Sequence, residues 1–180
     1  MKLLTPCSMA SHVHILVVVD EFGNRIPGAY CFSNWKTTEV YSIFVASIKD
    51  RVGVLTPAVF MSDDKPSFYN AWESIMGPVP HRLLCSWHVL HNWKDKLSLI
   101  RDPEKEKKKL VYKTLKALLK TCVESVFLKG LEKVQKSLKE DEDTLKFYEY
   151  FEKNYVPRIT VWAYCYRVRL GMNTSMLMKV

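Results

Sequence analysis

The sequence predicts an α/β protein whose strands all lie in the first half of the chain. Strand and helix signals alternate in the order β-β-α-β-α-β-α, and the pattern then shifts near residues 98–104 to apolar residues at helical spacing among lysines. Residues 1–93 carry seven basic and seven acidic side chains, whereas residues 94–180 carry twenty basic and twelve acidic, so the net charge of +8 lies in the second half. We therefore divide the chain into a divergent N-terminus (1–12), an α/β core (13–99) and a basic helical region (100–180).

The first two predicted strands form a hairpin. The run His14–Val19 is almost continuously apolar and β-branched, which is typical of a buried strand. The turn-forming residues Asp20–Asn24 separate it from a second extended run, Ile26–Phe32. Two extended runs joined by a short glycine-containing loop predict antiparallel pairing.

Two helices and two short strands follow. Thr37 or Thr38 is suited to cap the first helix, which ends at Gly53 and has apolar residues at helical spacing: Val40, Ile43, Phe44 and Ile48. The run Ala58–Met61 predicts a buried strand, and Pro66 suits the first turn of the next helix. The last strand candidate is Leu83–Cys85, which leads into a helix with Leu90, Trp93 and Leu97 on one stripe.

The second half predicts several amphipathic helices. Leucines and other apolar residues from Leu110 to Leu138 recur among lysines without strand-like alternation. The acidic run Glu140–Asp143 favours the start of a further helix, because negative charge stabilises a helix N-terminus. An aromatic helix then opens with Phe147–Phe151 and is interrupted at Val156-Pro157.

Composition excludes several classes of protein. No stretch approaches the roughly 18 apolar residues of a membrane span, and the first residues are too weakly apolar for a signal peptide. Five scattered cysteines suit a reducing compartment, so we expect a nuclear or cytoplasmic protein that is neither secreted nor membrane-bound. The basic second half indicates an anionic partner such as nucleic acid, with a solvated lysine-rich surface as the alternative.

Two groups of residues have the chemistry of a functional site. Asp63 and Asp64 follow a predicted strand, at the sheet edge where α/β proteins place their sites, and carboxylates suit Mg²⁺ or Mn²⁺. One of the pair is expected in the site and the other as a helix cap, although both are also common turn residues. Cys85 and His88 have zinc-like spacing, but no second close pair accompanies them, so packing competes with zinc binding and with a Cys–His dyad.

Three segments resemble the transposase domain of Mutator-like elements (MULE transposases). They are VVVDEFGNRIPGAYCFSN, VFMSDDKPSFYNAW and LLCSWHVLHNWK, and the resemblance runs from about His14 to the C-terminus. It implies an RNase H-like core with a helical insertion, DNA as partner, a nuclear location and a three-carboxylate (DDE) site that holds two Mg²⁺ or Mn²⁺ ions. Zinc is not expected.

The resemblance assigns roles residue by residue. Asp63 matches the second catalytic, metal-binding aspartate, Asp64 is an auxiliary or capping residue, and Cys85 and His88 match a C-x-x-H signature. The first aspartate would fall within MKLLTPCSMASH and the third carboxylate after Met172–Met176, and neither region supplies one. The resemblance therefore implies a partial core that lacks its central first strand and a catalytically incomplete chain.

Two other interpretations stay open at this point. The chain is alternatively a domesticated DNA-binding or protein-interaction module without catalysis, which uses its basic half. It is also conceivable as a complete enzyme in which Asp20 and Asp63 meet a later acid such as Glu149 or Glu152, although Asp20 is predicted in the hairpin turn rather than on a strand.

Overall fold

A computed structural model describes residues 12–20 and 22–170, which fold as two compact units. The first unit contains the described residues up to Ala58 together with Lys65–Pro80. The second contains Val59–Asp64 together with the described residues from His81 to Leu170. The chain therefore passes twice through each unit, and the helix between the third and fourth strands belongs to a different unit from those strands.

The first unit begins with the predicted hairpin. Strands β1 (His12–Val19) and β2 (Arg25–Ser33) pair in antiparallel register, with one irregularity between Leu16 and Val17. The carboxylate of Asp20 closes the turn by accepting hydrogen bonds from the backbone of Phe22 and from the backbone and side chain of Asn24. The hairpin prediction is confirmed.

Two helices complete the first unit. Helix α1 (Thr38–Val52) is capped by Thr37, whose hydroxyl accepts from the backbone N–H of Val40, and it ends at Gly53 with φ of 79°. Helix α2 (Pro66–Met76) starts with the predicted proline. The two helices are joined by an edge-to-face contact of Tyr41 with Phe68, whose ring centroids are 5.0 Å apart.

The second unit contains a short parallel sheet. Strand β3 (Val59–Ser62) pairs with β4 (His81–Leu84), and helix α3 (Ser86–Lys96) follows β4 directly. The backbone N–H of Cys85 donates to the carbonyl of Ser62 at 2.8 Å, which carries the pairing one residue past the strands. This contact brings the ends of β3 and β4 to the same edge.

The rest of the second unit is helical, as predicted from its apolar spacing. The bounds of its main helices are α4 (Glu106–Leu119), α5 (Glu124–Glu140), α6 (Leu145–Asn154) and α7 (Ile159–Trp162). Pro157 lies in a short 3₁₀ turn between α6 and α7, because proline lacks the N–H that would continue the longer helix. Further 3₁₀ turns lie at 97–99, 164–166 and 168–170.

An aromatic cluster forms the centre of this unit. Trp93 and Trp162 are fully buried and meet edge to face, with centroids 5.2 Å apart. Phe151 and Tyr155 of the α6 segment contact Trp93, and Phe127 of α5 contacts Trp162. Helices α3, α5, α6 and α7 are thereby packed on one core, and β4 contributes Leu84 to it.

The α/β class is confirmed, whereas the described strands do not form one sheet. They form two separate sheets of two strands each, β1–β2 and β3–β4. The boundary between the two units does not coincide with the change in sequence pattern near residues 98–104. Strands β3 and β4 precede that change but belong to the same unit as the helices that follow it. Within residues 12–20 and 22–170, no helix is long and apolar enough to cross a membrane.

Candidate functional site

The two aspartates that follow β3 lie at the carboxyl edge of the parallel β3–β4 pair. Asp63 comes one residue after the strand ends at Ser62, and both Asp63 and Asp64 are half-buried. This edge is where open α/β sheets place their ligands, since strand ends and the following helices leave a crevice there. The prediction that a carboxylate lies at this edge depends only on where the strand before Asp63 ends. The structure ends that strand at Ser62, one residue later than predicted.

Asp64 is held by a dense set of donors from the helical part of its unit. The guanidinium of Arg158 binds it through both nitrogens, at 2.5 Å to Oδ1 and 2.9 Å to Oδ2. The hydroxyl of Tyr155 donates to Oδ2 at 3.0 Å, and the side-chain amide of Asn92 donates to Oδ2 at 3.4 Å. Both oxygens of Asp64 are thus occupied, and its side chain is only 15% exposed.

The residues around Asp64 are themselves fixed by the aromatic core. Tyr155 is fully buried, its backbone carbonyl accepts from the indole N–H of Trp162, and the guanidinium of Arg158 lies 5.2 Å from its ring centroid. Burial raises the pKa of the Tyr155 hydroxyl, as do its hydrogen bond with Tyr150 and the charge of Asp64. Tyr155 therefore stays protonated and remains a donor to Asp64.

Asp64 was predicted as an auxiliary or capping residue, and the structure gives it partners other than the N-terminus of α2. The N-cap of α2 is Lys65, without a side-chain capping bond, and Asp64 contacts Asn92, Tyr155 and Arg158 instead. A bidentate arginine is a stronger partner than a helix N-terminus, because two charge-assisted bonds form in one plane. Sequence reasoning missed Arg158, which lies 94 residues further along the chain.

Cys85 and His88 lie at the same edge, at the start of α3. Cys85 is the N-cap of α3 and is fully buried, whereas His88 is partly exposed. Hydrogen bonding to Cys85 raises the pKa of the His88 imidazole, burial opposes this rise, and the charges of Cys85 and Asp63 add to it. Because the N–H of Cys85 bonds to the carbonyl of Ser62, the residue before Asp63, the structure brings Asp63 and Cys85 to the same edge, and His88 follows in the first turn of α3.

A buried arginine that sequence reasoning also missed completes this edge. Arg167 is fully buried and donates to the carbonyls of Leu84 at 2.6 Å and Trp162 at 2.7 Å, and to the hydroxyl of Ser86 at 2.5 Å. Burial lowers its pKa, while the charge of Cys85 opposes that shift. The guanidinium links the end of β4 to the segment after α7, and no local pattern in the sequence predicts this link.

The described residues do not fit a two-metal centre. Among residues 12–20 and 22–170, no group of three or more His, Cys, Asp or Glu side chains is arranged to hold a metal ion. Asp64 is occupied by Arg158, which leaves Asp63 as the matched carboxylate at this edge. Cys85 and His88 belong to no such group within these residues.

Asp20 and Glu152, two of the alternative acids predicted for a complete enzyme, form hydrogen bonds elsewhere in their own units. Asp20 lies in the hairpin turn of the first unit and is bonded to Phe22 and Asn24. Glu152 on α6 accepts from the side-chain amide of Gln135 at 2.8 Å, and Glu149 is exposed. The regions predicted to lack the first and third carboxylates, residues 1–11 and Met172–Met176, lie outside the described residues.

A scan against protein-family models, a search of curated proteins and a search of solved structures each found no match.

Proposed function

We propose that this chain is a partial MULE-type transposase domain that binds DNA in the nucleus and does not cut it unaided. The observation that carries this proposal is the edge of the β3–β4 sheet, where Asp63 directly follows one strand and Cys85 and His88 follow the next. This order agrees with the roles that the resemblance assigns to the three residues. In an RNase H-like core, the β1–β2 hairpin would lie beside the central first strand, which the resemblance expects to be missing from this chain.

The limit on catalysis follows from the same edge. Two metal ions need several carboxylates around them. Both oxygens of Asp64 accept hydrogen bonds from Arg158, so Asp64 does not serve as a metal ligand in this proposal. Asp63 is then the single acid at this edge with a proposed metal-binding role. It would act only together with carboxylates from outside the described residues.

A domesticated DNA-binding module without catalysis is the second candidate. The feature that favours it is charge, since residues 94–180 hold twenty basic side chains against twelve acidic ones. Both candidates expect DNA binding, and they differ in whether Asp63 has any role. An acid next to bound DNA repels phosphate unless a cation intervenes.

The test uses supercoiled plasmid with Mg²⁺ and then with Mn²⁺. We expect the purified chain to bind the plasmid and to leave it intact. Nicking by the wild type that Asp63→Asn abolishes, with Asp50→Asn as the control on exposed α1 surface, would show that the chain cuts DNA unaided. Failure to bind duplex DNA at low salt would contradict the DNA-binding role itself.

The two candidates separate in a binding titration with and without Mn²⁺. If Asp63 takes a metal ion beside DNA, Mn²⁺ strengthens DNA binding by the wild type more than by Asp63→Asn. If the chain is only a binding module, Mn²⁺ changes both proteins equally. The equal response would therefore favour the second candidate.

A further inference from the structure

A row of four lysines runs along one face of α4. Lys109, Lys113 and Lys116 lie in the helix and Lys120 ends it, and the spacing of four, three and four residues places them on successive turns of the same face. All four side chains are exposed. At 1.5 Å per residue the row is about 16 Å long.

The direction of this row is fixed by the opposite face of the helix. Leu115, Leu118 and Leu119 are buried in the core of the second unit. Since these leucines hold α4 against the other helices, the lysines on the far side point to solvent. The row therefore lies on the solvent-facing side of α4.

Little negative charge compensates the row. In the part of the chain that the structure describes, no carboxylate lies within 4.0 Å of Lys113, Lys116 or Lys120, and Lys109 pairs only with Glu106, both side chains being about 70% exposed. Asp141 and Asp143 form ion pairs with Lys107, which does not belong to the row. An uncompensated row of cations attracts a polyanion.

Helix α5 provides an internal comparison. Residues 106–120 contain six lysines and one glutamate, whereas α5 contains four lysines and three glutamates. Lys129, Lys133 and Lys136 form a similar exposed row on α5, but Glu132 lies beside it and Glu140 lies 3.9 Å from Lys136. The α5 row is thus the more neutral of the two.

The surroundings of the α4 row decide between kinds of polyanion. A membrane-binding helix inserts an apolar face, and the face of α4 formed by Leu115, Leu118 and Leu119 is already buried. Single-stranded nucleic acid is held by aromatic stacking, and α4 has no exposed aromatic side chain. A duplex backbone requires only phosphate contacts from cations in a fixed row.

We propose that Lys113, Lys116 and Lys120, with Lys109, form a sequence-independent contact with the phosphate backbone of double-stranded DNA. This inference rests on the proposed function for the choice of DNA and goes beyond it by locating the contact. Each lysine that neutralises a phosphate releases counterions, so the contact has a measurable salt dependence.

The experiment compares two triple variants of the full chain. One is Lys113→Gln/Lys116→Gln/Lys120→Gln on α4, and the matched control on α5 is Lys129→Gln/Lys133→Gln/Lys136→Gln. Glutamine keeps the helix propensity of lysine and both variants lose the same charge. Binding to a labelled duplex of about 30 base pairs is measured by fluorescence anisotropy between about 50 and 200 mM salt.

We expect the α4 variant to bind about ten-fold or more weakly at the lowest salt. The slope of log affinity against log salt should fall by about 2.7, which is about 0.9 for each lysine removed. The α5 control should change both quantities by less than half as much. Circular dichroism should show both variants folded, since each substitution lies on an exposed surface.

Four results would overturn the proposal. If the α4 variant keeps the wild-type slope of log affinity against log salt, these lysines do not contact phosphate. If the α5 control loses as much affinity as the α4 variant, the total charge of the protein matters and the α4 row does not. Tighter binding of a single strand than of the duplex rejects the duplex assignment. If the wild type binds no duplex DNA at all, the proposed function fails together with this inference. If the wild type binds duplex DNA and the α4 variant binds it equally well, only this inference fails.

Discussion

The helical part of the second unit and the hairpin of the first unit are both rich in apolar residues, yet they bury them very differently. Trp93, Phe127 and Trp162 are fully buried in the aromatic cluster. In the hairpin, Phe32 is 68% exposed and Val13 is 52% exposed. Burial therefore depends on how many elements surround a residue, and apolar composition alone does not determine it.

The physical reason is the number of faces that each element covers. A two-stranded hairpin has two faces, and α1 lies on one of them through the contact of Tyr41 with His14, with ring centroids 5.0 Å apart. The opposite face presents Val13, Tyr30 and Phe32 to solvent. Isolated hairpins are marginal for this reason, whereas several helices around one cluster exclude water from every side.

The largest expected effect comes from the centre of the aromatic cluster. Trp162→Ala should lower the free energy of unfolding by about 3–5 kcal/mol, because it removes a fully buried side chain and leaves a cavity. Trp35→Ala, at a side chain that is 67% exposed, should change it by less than about 0.5 kcal/mol. Urea denaturation of both variants measures the difference, and equal effects would contradict the comparison.

The next largest effect on the free energy of unfolding is expected at the buried Arg167. Arg167→Met should lower the free energy of unfolding by about 2–3 kcal/mol, because the carbonyls of Leu84 and Trp162 and the hydroxyl of Ser86 lose their donor. Arg169→Met, at an exposed position nearby, is the control. A stable Arg167→Met protein would show that these acceptors find other partners.

A smaller effect is expected at the ion pair of Asp64 and Arg158. A double-mutant cycle with Asp64→Asn and Arg158→Met should give a coupling of about 1 kcal/mol, since the arginine is 36% exposed and water screens the pair. Unfolding of the wild type, both single variants and the double variant provides the four values. Additive effects would mean that the bidentate contact does not couple the two side chains.

The acidic pair at the start of α6 gives a weaker, pH-dependent effect. The hydrogen bond from Lys107 holds the pKa of Asp141 below its ordinary value of 3.8. Its contribution to stability is present above that value and is lost as pH falls through the lowered pKa. The melting temperatures of wild type and Lys107→Met should therefore converge below about pH 4. Lys113→Met, which has no acidic partner among the described residues, should show no such convergence.

The smallest effect on stability is expected on the open face of the hairpin. Phe32→Thr should change the free energy of unfolding by less than about 0.5 kcal/mol, because the ring is already mostly in water. Since exposed apolar strands promote association, the same variant should also stay monomeric to higher concentration in light scattering. A large loss of stability would show that this face is covered in solution.

Local sequence patterns determined most of the secondary structure of this protein. The hairpin turn depends on Asp20 and Asn24, the start of α1 on Thr37, and the end of α1 on Gly53, and each acts on neighbouring backbone. Such short-range interactions are readable from sequence because the partners are a few residues apart. The position of Asp63 at a strand end was predictable for the same reason.

Only the tertiary structure decided how the site residues are used. The partner of Asp64 lies 94 residues away, and Arg167 reaches Leu84 across 83 residues. The helix between β3 and β4 packs in a different unit from its strands, which no local pattern encodes. Contacts of this kind form only when buried apolar faces have fixed the path of the chain, so the choice between capping a helix and binding an arginine was settled by packing.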